Sequence, residues 1–108
     1  MNLYFQISQF GLTNEEINKV ISIFAKYPAI EKAIIYGSRA KGNYKQYSDI
    51  DIALIGTNLN LTTQQLIEAE LDDLLLPYKF DLSVLDRIKS SDLLNHIARI
   101  GKVFYSQS

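Results

Sequence analysis

Apolar residues recur along this chain with two different periods, and the switching between them lays out the elements. Ile17, Val20, Ile21 and Phe24 fall at i, i+3, i+4 and i+7, the spacing of one face of an amphipathic helix. Thr13 followed three residues later by Glu16 reads as a capping box, with Leu12 available as a hydrophobic staple, and Pro28 cannot continue the helix. Ala33 to Tyr36 is short, apolar and β-branched, which predicts a buried strand, and Gly37 permits a tight turn at its end. Ser38 to Lys41 predict a short helical turn, and Gly42 to Tyr47 a loop. From Asp49 to Ile55 the period is two, with Ile50, Ile52 and Leu54 on one face, and Gly56 closes this second strand. Thr62 with Gln65 predicts another capping box, and Leu66, Ile67, Leu71, Leu74 and Leu75 a helical face that runs up to Pro77. Phe80 to Leu85 alternates again, with Asp81 and Ser83 opposite Phe80, Leu82 and Val84, so a third strand is expected. Ser90 or Ser91 can cap a last helix carrying Leu93, Leu94, Ile97 and Ile100, which Gly101 suits as an end. Val103 to Tyr105 reads as a short strand or a helix extension. The order α-β-α-β-α-β-α predicts an α/β (α+β) fold, a small mixed sheet of about three strands flanked by helices.

Composition narrows the picture without deciding it. The chain has 108 residues, 47% hydrophobic and 21% charged, as expected of one globular domain spanning residues 1–108. Eleven basic residues against twelve acidic leave a net charge of −1, so a polymeric nucleic acid is not expected as a direct partner. With no cysteine, disulfides and thiolate zinc sites are excluded. No apolar run approaches the ~20 residues needed to span a bilayer, and no signal peptide is read at the N-terminus, so a cytoplasmic location without a membrane partner is expected.

The candidate chemistry lies in the second strand. Asp49 and Asp51 are two residues apart in an extended segment, so they project to the same side with Cα atoms roughly 6.6 Å apart. Two carboxylates so placed can converge on a hard cation. Asp81 adds a further acid on the third strand. Tyr44 and Tyr47 are expected to pack on their own sheet, and His96, beside the apolar face of the last helix, to be half-buried and structural.

Gly37-Ser38, ten intervening residues and then Asp49-Ile50-Asp51 resemble the signature of the polymerase-beta-like nucleotidyltransferases. The fuller string Gly37-Ser38-Arg39-Ala40-Lys41-Gly42, with Ser48-Asp49-Ile50-Asp51 after it, is similar to the minimal nucleotidyltransferase (MNT) branch. The resemblance implies a metal-dependent transferase of a nucleoside monophosphate, with ATP as substrate and two Mg²⁺ ions as cofactors. Asp49, Asp51 and Asp81 would then be the catalytic acids and the metal ligands, with Asp81 as third acid near the attacking hydroxyl, as base or as ligand only. Gly37, Ser38 and Ser48 would bind the nucleotide, and Arg39 and Lys41 would neutralise its phosphates. It further implies an antitoxin that adenylylates a tyrosine of a helical HEPN-type toxin encoded nearby, hence a hetero-oligomer. Phe104 and Tyr105 are expected as interface anchors if the tail contributes. The alternatives are transfer to an aminoglycoside-like small molecule with a separate substrate-binding subunit, and a non-catalytic module that neutralises its partner by contact.

Overall fold

The computed structural model describes residues 9–107. Helix α1, Asn14–Ala25, starts where the sequence predicts: the Glu16 N–H donates to Thr13 Oγ1 at 3.0 Å and the Thr13 N–H donates to Glu16 Oε1 at 2.9 Å. These two bonds satisfy donors that the first turn of a helix leaves open. The helix buries Val20, Ile23 and Phe24.

Four strands form one sheet in the order β3-β2-β1-β4, with β1 at Ile30–Tyr36, β2 at Ile50–Gly56, β3 at Phe80–Val84 and β4 at Lys102–Ser106. The sheet is mixed, as expected, but has one strand more than the pattern suggested. The tail continues as a strand antiparallel to β1, beyond the last helix α4, Ser91–Ile100. β1 and β2 are antiparallel across the short helix α2, Ser38–Lys41. β2 and β3 are parallel, a pairing that needs a crossover, and helix α3, Leu61–Asp72, supplies it.

The two faces of the sheet differ. Ile35, Ile52 and Leu82 lie in register across three strands, as do Leu54 and Val84 with Ala33, and all are buried in the main core with residues of α1 and α3. Ile35, Ile52 and Leu54 have no exposed surface, and burying each contributes roughly 1.5–3 kcal/mol. That fixes the register of β2, because a slip of one residue would carry Asp51 into this core. The opposite face carries the rows Tyr36, Asp51, Asp81 and Ile34, Ala53, Ser83. Helix α4 packs against β1, and Ile97 forms a second, smaller apolar cluster with Tyr36 and Ala53.

Three expectations are corrected. The cap of α3 is Asn60 rather than Thr62, with the Thr63 N–H donating to Asn60 Oδ1 at 2.8 Å. Asparagine outranks threonine as an N-cap, and Thr62 falls inside the first turn. Leu66 is exposed, and Leu75 lies past the helix end at φ 56° and is 88% exposed, so Ile67 and Leu71 carry the buried face. Phe104 is buried between the Phe10 and Phe24 rings at 6.1 and 6.3 Å and so belongs to the core of this chain rather than to an interface, whereas Tyr105 is half-buried and packs on Phe24 at 6.0 Å. Asn60→Ala should cost about 1 kcal/mol in urea unfolding, whereas Thr62→Ala should stay within about 0.5 kcal/mol. Among the described residues, no helix is long and apolar enough to cross a membrane.

Candidate active site

The acids are placed by strand register. Asp51 is the second residue of β2 and pairs with Tyr36 on β1 and with Asp81 on β3, so the three side chains form one row. Asp49 is exposed and lies one residue before β2, whose first N–H, that of Ile50, donates to the Lys79 carbonyl at 2.8 Å. Asp81 is exposed on an edge strand. Burial pushes the Asp51 carboxyl above its ordinary value; the charges of Asp81 and Asp49 push it further, and His96 opposes them. Burial likewise raises the Tyr36 phenol, with Asp51 and Asp81 adding to the rise and a hydrogen bond with Ser83 opposing it. Three carboxylates thus share one field on this face.

Gly37 forms the turn above Asp51. Its φ of 73° and ψ of −155° lie in a region that side chains rarely adopt, and a Cβ there would sit 2.3 Å from Asp51 Oδ2. Glycine is therefore required twice, by backbone conformation and by the approach of the carboxylate. The Gly37 N–H donates to His96 Nε2 at 3.2 Å, and the His96 ring stands edge-on to Tyr36 at 6.1 Å. His96 thereby ties α4 to the turn, a role its position on a helix face did not signal. Ser38 opens α2 half-buried beside Gly37, and Lys41 at its end is exposed.

Arg39 and Ser48 are placed differently from a phosphate-binding pair. Arg39 is 2% exposed, and its guanidinium donates to the carbonyls of Phe10, Gln46 and Ser48 between the Tyr44 and Tyr78 rings. Its donors are turned inward, away from solvent. The Ser48 hydroxyl accepts the Lys45 N–H at 2.8 Å and so closes the loop ahead of Asp49. Tyr44 packs on Arg39, whereas Tyr47 is 62% exposed and leaves the sheet.

Among the described residues, no three histidine or carboxylate side chains converge to hold a metal ion, so the expected cage of Asp49, Asp51 and Asp81 is not closed. The donor set still suits a hard divalent ion: it is all carboxylate oxygen, and a magnesium ion takes one or two carboxylates and completes its shell with water and phosphate oxygens. A cleft of about 520 Å³ lined by Gly56, Asn58, Asn60, Asp86 and Arg87 lies at the other end of β2, away from the acids.

Residues 18–108 match the family described as Polymerase beta, Nucleotidyltransferase. The chain belongs to that family. No curated protein matches the sequence significantly. Among solved structures, this nucleotidyltransferase is similar to a toxin–antitoxin crystallised with AMP-PNP: identity is 24%, coverage 85% of this chain and 74% of the matched one, and the TM-score 0.70. A mutant of the MntA–HpeT toxin–antitoxin gives 26% identity, coverage of 84% and 72%, and a TM-score of 0.67. A tri-AMPylated Shewanella oneidensis HEPN toxin in complex with an MNT antitoxin gives 22%, 86%, 71% and 0.64 for the same four measures. Members of the family generally use Mg²⁺ and a nucleoside triphosphate.

Proposed function

We propose that this nucleotidyltransferase moves AMP from ATP to a tyrosine hydroxyl of a HEPN-type toxin and so acts as the antitoxin of the pair. The observation that carries the reading is the close approach of the Gly37 turn to Asp51, itself in register with Asp81. Triphosphate and acceptor can meet there on one face. The relatives support the partner: one is crystallised with an ATP analogue and another contains an AMP-bearing HEPN toxin.

Asp49 and Asp51 would hold Mg²⁺, which when bound supplies positive charge to the triphosphate. Gly37 and Ser38 orient the phosphates from the turn, and the exposed ammonium of Lys41 balances their charge. Asp81, exposed on the edge strand, faces the side open to a second chain and takes the phenol proton. The phenol oxygen bonds to the α-phosphorus, the bond from that phosphorus to the bridging oxygen breaks, and pyrophosphate leaves with the electron pair.

The test is incubation of the chain with ATP, Mg²⁺ and the HEPN-type protein encoded beside it, read by intact mass and peptide mapping. AMP should appear on tyrosine, and Asp49→Asn should slow its appearance by roughly 10²-fold or more while the two proteins still associate. No ATP-dependent mass gain, with toxin still neutralised by a variant carrying both Asp49→Asn and Asp51→Asn, would leave neutralisation by contact as the function.

A further inference from the structure

The loop between α2 and β2 carries Asp49, yet little of it is held by the body of the protein. Gly42, Asn43, Lys45, Gln46, Tyr47 and Asp49 are exposed, and the turn bonds between Lys45 and Ser48 are internal to the loop. Asp51 is fixed by the ladders on both sides, but Asp49 precedes β2 and has no such support.

Arg39 reaches this gap. Its Nε and Nη2 donate to the Ser48 carbonyl at 3.0 and 2.9 Å, so two bonds from one rigid fork hold the peptide plane that joins Ser48 to Asp49. Nη2 also reaches the Gln46 carbonyl at 3.3 Å, and Nη1 the Phe10 carbonyl at 2.7 Å. The guanidinium carbon lies 5.2 Å from the Tyr44 ring centre and 4.7 Å from that of Tyr78. Tyr78 is held in turn by hydrogen bonds from its hydroxyl to the Glu16 carboxylate of the α1 capping box. No carboxylate among the described residues forms an ion pair with Arg39. A buried cation whose bonds go to carbonyls and ring faces is placed to hold backbone rather than to meet a triphosphate.

We propose that Arg39 is a positioning residue for Asp49: by clamping the Ser48 carbonyl it sets the direction in which the Asp49 carboxylate is presented to the metal–nucleotide. This rests on the nucleotidyltransfer reading above. It separates the two basic residues of the motif, leaving Lys41 toward the phosphates and assigning Arg39 to the loop.

A double-mutant cycle tests it, with Mn²⁺ plus AMP-PNP as the probe and binding to the full chain measured by calorimetry. Arg39→Lys keeps the charge and loses the fork, and should weaken binding by about 10-fold, the usual cost of removing a group that orients a metal ligand. In the Asp49→Asn background the same change should cost nothing further, because the group it acts through is gone. In metal-free protein, Arg39→Lys should speed hydrogen exchange over residues 44–49 and leave 51–55 unchanged. Tyr44→Leu removes one ring and leaves the guanidinium, so it carries the same cycle, with a smaller loss, should Arg39→Lys not fold. Equal losses in both backgrounds would overturn the assignment alone and point to direct phosphate contact or general destabilisation. No Mn²⁺–AMP-PNP binding by the unmodified chain would overturn the nucleotidyltransfer reading and this assignment with it.

Discussion

Asp51→Asn is expected to slow the proposed transfer sharply and, in metal-free protein at neutral pH, to raise the melting temperature. The two effects have one cause. Asp51 is partly buried and sits in the field of Asp81 and Asp49, so its carboxyl is pushed above the ordinary 3.8. An acid whose folded-state value exceeds its unfolded value binds protons more readily in the folded state. Stability therefore falls as pH rises from about 3.8 through the folded value, and above it the whole cost remains. Asparagine is nearly the same shape and carries no charge, so it removes that cost at neutral pH and gains nothing below the unfolded value. Binding of Mg²⁺ and nucleotide should reverse the order of the two proteins. A ligand present at 100 times its Kd adds about 2.7 kcal/mol to the protein that binds it, and only the unmodified chain should collect this. Melting curves from acid to neutral pH, with chelator and then with Mg²⁺ and AMP-PNP, check both signs. A metal-free variant that melts below the unmodified protein at neutral pH would show that the acids do not crowd one another. Transfer by the variant should fall by roughly 10²-fold or more, since a metal ligand acts mainly in the transition state.

The parts of this site legible in the sequence are those written in neighbouring residues. Alternation from Ile50 to Leu54 placed Asp51 opposite the apolar stripe because a strand has period two, and the capping box of Thr13 and Glu16 is a local bond pattern. What stayed hidden depends on residues distant in sequence. Arg39, one residue beyond a Gly-Ser turn, reads as a phosphate group, and its burial is decided by the Phe10 carbonyl and the Tyr78 ring, which no local spacing announces. His96 reads as a half-buried helix residue, which it is, yet its bond to Gly37 exists only because α4 folds back on β1. The strand β4 was ambiguous for the same reason, since a five-residue segment is decided by the edge it meets. At α3 the difference is local: Asn60, two residues before the expected Thr62, is the better cap acceptor and starts the helix earlier.

Gly37→Ala should damage stability and transfer together, through two separable terms. The first is backbone strain. With φ at 73° and ψ at −155°, residue 37 occupies a region open essentially to glycine, and forcing alanine into it costs roughly 1–3 kcal/mol. The second is collision: the new Cβ would lie 2.3 Å from Asp51 Oδ2, so the carboxylate must rotate or the turn must lift. Either movement displaces Asp51 or the Gly37 turn, to which the proposed function assigns the metal and the phosphates, and on that reading a displacement near 1 Å is enough to cost about 10²-fold in rate. The turn also loses the setting of its N–H on His96, which loosens α4 from the site. Combining Gly37→Ala with Asp51→Gly separates the terms, because the carboxylate is then absent and the strain alone remains. The alanine substitution should cost less stability in that background than in the unmodified chain, and the difference measures the collision. If Gly37→Ala melted and transferred AMP like the unmodified protein, the turn would not be the element that holds substrate over Asp51.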